Sequence, residues 1–435
     1  HLYARRQRQM CIRDRLKSLN TKINFTYTNQ LIVGKTGLEF VYEDILSGEF
    51  GNNLREVDAR GKTLDEKISS ESKVGNNLYT SLDLKSHQAA HKALNNRKGA
   101  VVAIDINDGS IVTLFSSPTF STNQLANGIL QKDFDELLLS EEKPFFNRAL
   151  RGRYPPASSI KPAIAMYGIE EGLIDWNFSI FDEGFFTLPE DGRIYRDWKE
   201  GGHGDTNLFK AITQSSNTYF FDLAYRSDIN QLNKHLSSLG FGGKACIDCF
   251  EEDKVFVPEP SWKMNKHNFG WFKGDTVNMG VGQGYLVSTP IQLAKYAYIM
   301  ANKGKFSDLS LKKDLVKSEK SIEFNKFSND DWFKLHESMV NVIEGNTGTA
   351  RRLREKKNYI VAAKTGTAEL VSGDNREQYS ETRLDDSLRD HALIIAFGPM
   401  PNPRYAVSVV VENGESGGSV AGPVAISVLN SLIQE

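Results

Sequence analysis

Tyr154-Pro155-Pro156-Ala157-Ser158-Ser159-Ile160-Lys161-Pro162 runs into the apolar stretch Ala163-Ile164-Ala165-Met166-Tyr167-Gly168-Ile169, and its reading decides the fold. Pro155 and Pro156 hold the approach extended, because a proline disfavours helix in the residue before it. The stretch after Lys161 is helical in pattern, with Pro162 tolerable only in a first turn. Ser158 is therefore expected at a helix start, where free backbone N–H groups and the positive dipole end steady an anion. Lys161 is three residues on and shares its face. A hydroxyl is a poor nucleophile until a base takes its proton, and a desolvated lysine can serve.

Working outward, Ser215-Ser216-Asn217 lies between two helix-like segments, and Lys364-Thr365-Gly366-Thr367 ends the strand-like run Tyr359–Ala363. Alone, the serine pair reads as helix caps and the K-T-G as an ordinary strand end. S-x-x-K should occur about two or three times by chance at this length. Ser70/Lys73 and Ser310/Lys313 also fit it, and Lys35-Thr36-Gly37 is a second K-T-G. The two serine decoys sit in polar surroundings and read as solvated surface. In order, the three selected motifs form the S-x-x-K, S-x-N, K-T-G set of serine acyl-transferases.

Carrying these motifs, the chain resembles class B penicillin-binding proteins of the elongation type, the penicillin-binding protein 2 family. The resemblance runs from about Gly34 to the C-terminus. It includes residues 34–46, 78–94, 99–120, 196–204, 274–294 and 389–400. It implies a peptidoglycan D,D-transpeptidase of cell elongation, inhibited by β-lactams. Ser158 is then the acylated nucleophile and Lys161 its general base. Ser215 and Asn217 relay a proton and hold the substrate amide. Lys364, Thr365, Gly366 and Thr367 form the motif that binds the terminal carboxylate of the donor stem peptide. The N–H groups of Ser158 and Thr367 form the oxyanion hole. Burial and the second cation, Lys364, are both expected to push Lys161 toward its neutral form. The partners implied are stem peptides, β-lactams, a membrane glycosyltransferase and elongation-complex proteins. The location implied is the periplasmic face of the bacterial inner membrane.

No cofactor is required by this chemistry. Some relatives of this type hold a structural zinc near the active site, with a cysteine in the middle of the second motif as fourth ligand. Asp182, Asp197 and His203 are suitable zinc ligands. Ser216 stands where the cysteine would be.

The residues themselves read as an α+β chain. AVVAIDI (100–106), a turn at Asn107-Asp108-Gly109 and SIVTLFS (110–116) form a hairpin. A long helical middle, three further strands and a C-terminal helix follow. That order fits an antiparallel sheet with helices packed on it. The resemblance implies the β-lactamase/transpeptidase fold, with helices on both faces and a partial N-terminal pedestal. We divide the chain into residues 1–15, 16–95 as partial pedestal (dimerisation) domain and linker helix, and 96–435 as transpeptidase domain. Residues 1–15 include Gln9–Arg15, which resembles the translation of a transposase adaptor. We set them aside as a non-native artefact, a genuine basic tail being the other reading. The family carries an N-terminal membrane anchor, so the chain is expected to be a piece that begins inside the pedestal.

A net charge of −2, from 53 basic and 55 acidic residues, gives no nucleic-acid signal. No run of about 18 apolar residues occurs. Cys246 and Cys249 form C-I-D-C without a βαβ context, which argues against redox chemistry and leaves a local disulfide open. Two rivals share the motifs: a serine β-lactamase, and a β-lactam sensor or inactive scaffold. A P-loop is excluded, because Asn29 stands where the first glycine before Gly34-Lys35-Thr36 is required.

Overall fold

A computed structural model describes residues 34–370 and 388–433. Residues 1–15, set aside above, lie outside the described residues. The chain divides into two compact units, one ending at Thr80 and including Asp248–Glu251, the other made of Ser81–Ile247 and Glu252 onward.

In the first unit, β1 (Asn52–Val57) and β2 (Thr63–Ser70) pair as an antiparallel hairpin, almost wholly exposed. EVDARGKT (56–63) is the end of one strand, the turn and the start of the next. Asp58 makes the turn: its carboxylate accepts the N–H groups of Arg60 and Lys62 at 2.8 and 2.9 Å. An Asx side chain that bonds nearby backbone in this way competes with continued strand.

The second unit is built on five strands. After helix α1 (Leu84–Leu94) come β3 (Gly99–Asp105) and β4 (Ser110–Ser117). The helical middle holds α2 (Lys161–Glu170), α3 (Leu208–Gln214), α4 (Asn217–Arg226), α5 (Pro290–Ala301) and α6 (Asn329–Glu344). Strands β5 (Ala362–Ala368), β6 (His391–Gly398) and β7 (Tyr405–Val411) follow, then α7 (Gly422–Ile433). The sheet order is β5-β6-β7-β3-β4, all antiparallel, so β5 is an edge strand.

Both faces of this sheet are covered, which is why its strands are nearly continuous apolar runs rather than alternating ones. Val101, Ala103, Ile394, Val407 and Val409 pack with Ala90 and Leu94 of α1 and with Val424, Val428 and Leu429 of α7. On the opposite face Ser408 Oγ donates to Pro290 O of α5 at 2.6 Å, and Phe397 meets His336 of α6 ring to ring at 5.3 Å. The hairpin, the last two strands and the terminal helix stand where the sequence placed them, whereas the first late strand starts at Ala362 rather than Tyr359, so Lys364-Thr365-Gly366-Thr367 lies inside it rather than at its end. Six short strands inside the helical middle were not foreseen. Among them Ser179–Asp182 pairs with Gly204–Asn207.

Helix α2 is buried on all sides, as expected of a helix apolar all round. Its early N–H at Ala163 would be orphaned, and the Tyr296 hydroxyl of α5 accepts it at 3.0 Å. Cys246 and Cys249 are disulfide-bonded. One decoy reading needs correction. Ser310 is fully buried rather than solvated, because its carbonyl accepts Ile111 N–H at 2.9 Å beside the sheet. Among the described residues, no helix is long and apolar enough to cross a membrane.

Candidate active site

Ser158 lies in a 3₁₀ turn (Ala157–Ile160), and Lys161 is the first residue of α2. In 3₁₀ geometry residues i and i+3 eclipse, so Ser158 and Lys161 line up more closely than on an α-helix. The turn is entered through Ala157 at φ +49°, a costly value for a residue with a Cβ. It is held there by Gly282: Ala157 N donates to Gly282 O at 2.8 Å. A Cβ on Gly282 (φ +72°) would lie 2.2 Å from Ala157 O. Tyr154 and Ser288 exchange N–H···O bonds at 2.9 and 2.8 Å, fixing the proline approach. Ala157 and Gly282 were not singled out from sequence. The available signal was the pair Gly282/Gly284 in the 274–294 segment.

Ser215 and Ser216 do cap helices, and that is how they reach the site. Ser215 ends α3 in the left-handed region at φ +62°. Ser216 opens α4, its Oγ accepting Tyr219 N–H at 3.2 Å. Lys161 Nζ donates to Ser215 O at 2.8 Å, Ser215 Oγ at 3.3 Å and Asn217 Oδ1 at 2.6 Å. Trp198, also missed, donates its indole N–H to the same Ser215 carbonyl at 3.1 Å.

From the third motif, Lys364 Nζ donates to Ser215 Oγ at 2.8 Å and to Thr365 O at 3.1 Å. Gly366 lets edge strand β5 approach the serine turn: a Cβ there would sit 3.2 Å from Pro156 O and 3.4 Å from Ser159 N. Thr367 is exposed, and Gln283 Nε2 donates to its carbonyl at 3.3 Å. The structure thus brings Ser158, Lys161, Ser215, Asn217, Lys364, Thr365, Gly366 and Thr367 together.

Lys161 and Lys364 are both fully buried. Burial pushes Lys161 down to about 7, against the pull of the Asp197 and Asp182 carboxylates. Lys364 lies well below its ordinary range, first through burial and then through the charge of Lys161. Burial is the largest cause at both lysines, and the repulsion between two amines is mutual, so each disfavours the charged form of the other while the two carboxylates oppose it at Lys161. Such an amine is neutral in a useful fraction at neutral pH and can take a hydroxyl proton.

Asp182, Asp197 and His203 also converge, with one ligand atom of each within 4.8 Å of the others. Asp182 accepts Ser216 Oγ at 2.7 Å and Gly184 N–H at 2.8 Å. Asp197 accepts the N–H groups of Asn217 and Thr218 at 2.5 and 3.0 Å, anchoring the start of α4. Burial would raise Asp197, but the His203 hydrogen bond, the Lys161 charge and backbone donors hold it at about 2. His203 Nδ1 faces Gln214 Oε1 at 3.0 Å, while Nε2 faces Asp197 Oδ1 at 3.3 Å. Two carboxylates and an imidazole are zinc donors, so three positions fit a zinc ion. The fourth group, Ser216, offers only a hydroxyl already bonded to Asp182.

Comparison with known proteins defines the class. The model of the penicillin-binding protein transpeptidase domain matches residues 99–430, and that of the penicillin-binding protein dimerisation domain matches residues 9–80. The chain belongs to the penicillin-binding protein transpeptidase family. It is 36% identical to the peptidoglycan D,D-transpeptidase MrdA of Haemophilus influenzae over 97% of this chain and 66% of that one. The chain therefore spans about two thirds of that relative's length. The crystal structure of Pseudomonas aeruginosa PBP2 in complex with WCK 5153 superposes with a TM-score of 0.79 at 34% identity, covering 93% of this chain and 84% of that one. Helicobacter pylori PBP2, solved in complex with MreC, gives a TM-score of 0.84 at 30% identity, covering 93% and 73%.

Proposed function

We propose that this chain is the crosslinking part of a peptidoglycan D,D-transpeptidase of the elongation type. The observation that carries it is the dry Lys161 amine, brought down to about 7 and hydrogen-bonded to Ser215 and Asn217, one 3₁₀ turn from Ser158. Ser158 Oγ attacks the carbonyl between the two terminal D-alanines while its proton passes to Lys161. The C–N bond breaks, D-alanine leaves with a proton relayed through Ser215, and an acyl-enzyme remains. An amine of a second stem peptide then attacks the ester, forming the crosslink and returning the proton to Ser158. Asn217 holds the donor amide, and Lys364, Thr365 and Thr367 bind its terminal carboxylate. An anion arriving at Lys364 favours the protonated amine, so the donor itself restores that charge. The N–H groups of Ser158 and Thr367 form the oxyanion hole, each donor contributing about 3–4 kcal/mol.

The kinship to MrdA supports the substrate. The Helicobacter complex with MreC supports an elongation-complex partner. We extend the same reading to a membrane glycosyltransferase partner and to the periplasmic face of the inner membrane. A zinc ion, when bound, would be held by Asp182, Asp197 and His203 and would supply structural charge there.

The test is incubation with a donor peptide ending in D-Ala-D-Ala and an amine-bearing acceptor peptide. D-Alanine release with a product of crosslinked mass is expected. Hydrolysis alone, with no crosslink at any acceptor concentration, contradicts the transferase reading.

A further inference from the structure

The loop Gly345–Ala350, which follows α6 and belongs to none of the three motifs, touches one of them and the residue that precedes another. Thr349 Oγ1 lies 2.7 Å from Thr365 Oγ1. Two residues earlier, Thr347 Oγ1 accepts Gln214 Nε2 at 3.1 Å, one residue before Ser215. We propose that Thr349 is a positioning residue for carboxylate recognition: its hydroxyl donates to Thr365 and so aims the Thr365 proton at the substrate carboxylate. This rests on the acyl-transfer reading above and assigns the loop a part in it.

A threonine hydroxyl has one proton and two lone pairs. At 2.7 Å only one of the two hydroxyls can donate to the other. If Thr365 donated to Thr349, it would have no proton for an anion and would present a lone pair to it. With Thr349 as donor, the Thr365 proton is free, and a hydrogen bond to an ionised acceptor is the stronger partner for it. Successive O–H···O–H···O⁻ bonds also polarise one another. Side-chain alternation puts Thr365 and Thr367 on the same side of β5, so the aimed proton and the exposed Thr367 serve one ligand.

The loop is held rigidly enough for this task. Ala350 N–H donates to Val342 O at 2.9 Å, wrapping the loop over the end of α6. A Cβ on Gly348 would lie 2.3 Å from Val342 O, and one on Gly418 would lie 2.5 Å from Thr349 O. The backbone at Thr349 is thus held from two sides, which fixes where its side chain starts relative to Thr365.

The experiment compares acylation of the whole chain by benzylpenicillin and by its methyl ester, which lacks the anion. Thr349→Val keeps the shape and removes the donor. It is expected to slow acylation by the free acid about 3- to 10-fold, the scale of the neutral hydrogen bond that polarises the Thr365 hydroxyl, and to leave the ester within about twofold. Thr349→Ser should restore the free-acid rate, and Thr349→Ala, read the same way, serves if the valine variant does not fold. Equal slowing with both compounds would mean a merely structural role and overturns the inference, as does an unimpaired Thr349→Val. Wild-type protein that takes neither compound overturns the acyl-transfer reading and this inference with it; normal wild-type acylation beside an unimpaired variant overturns this inference alone.

Discussion

Gly282 and Ala157 meet backbone to backbone: the Ala157 N–H donates to Gly282 O at 2.8 Å, and there is no room for a side chain between them. The residue before Ser158 is held at φ +49° by a glycine more than a hundred positions away. Gly282→Ala must therefore move the serine turn or break that bond. A displacement of about 1 Å at a reacting atom costs on the order of 10²-fold. We expect acylation by penicillin to fall by about that factor or more, with the circular-dichroism spectrum retained. Normal acylation in this variant would remove the contact from the account.

Lys161 sets the pH dependence. Its amine is down at about 7, so below that value the base form declines about tenfold per pH unit. The logarithm of the acylation rate should rise with unit slope up to about pH 7 and then level off. Lys161→Ala should lose several orders of magnitude and flatten the profile, because the titrating base is gone. A wild-type profile flat from pH 5 to 8, or normal kinetics in Lys161→Ala, rules out this role.

Zinc binding at Asp182, Asp197 and His203 is expected to be weak, since the fourth group is a hydroxyl. Titration should find one zinc per chain that a chelator removes readily. Ser216→Cys supplies a thiolate and should tighten binding at least about tenfold, a typical scale for one ligand-shell change. If metal analysis finds no zinc taken up by either protein, the site is a hydrogen-bonded knot and nothing more.

Much of the site was legible because its chemistry is concentrated in three short runs whose order and flanks are specific. The strands were legible where apolar runs are long, as at His391–Gly398 and Tyr405–Val411. What escaped notice depends on distant pairing. Trp198 reaches Ser215 only because short strands fold back between the motifs, and Asp182 reaches Ser216 through the pairing of Ser179–Asp182 with Gly204–Asn207. Ser310 looked solvated because its neighbours are polar, yet a backbone bridge beside the sheet buries it. Capping and catalysis looked like alternatives at Ser215-Ser216, and the fold uses the caps to place the chemistry.

Acyl transfer in this chain requires Ser158 to form the acyl-enzyme. The direct test is incubation with a penicillin, intact mass measurement and mapping of the adduct by digestion. A stable one-to-one adduct on Ser158 is expected. Consumed drug with no adduct would indicate a hydrolase, and a stable adduct on another residue would contradict the account outright.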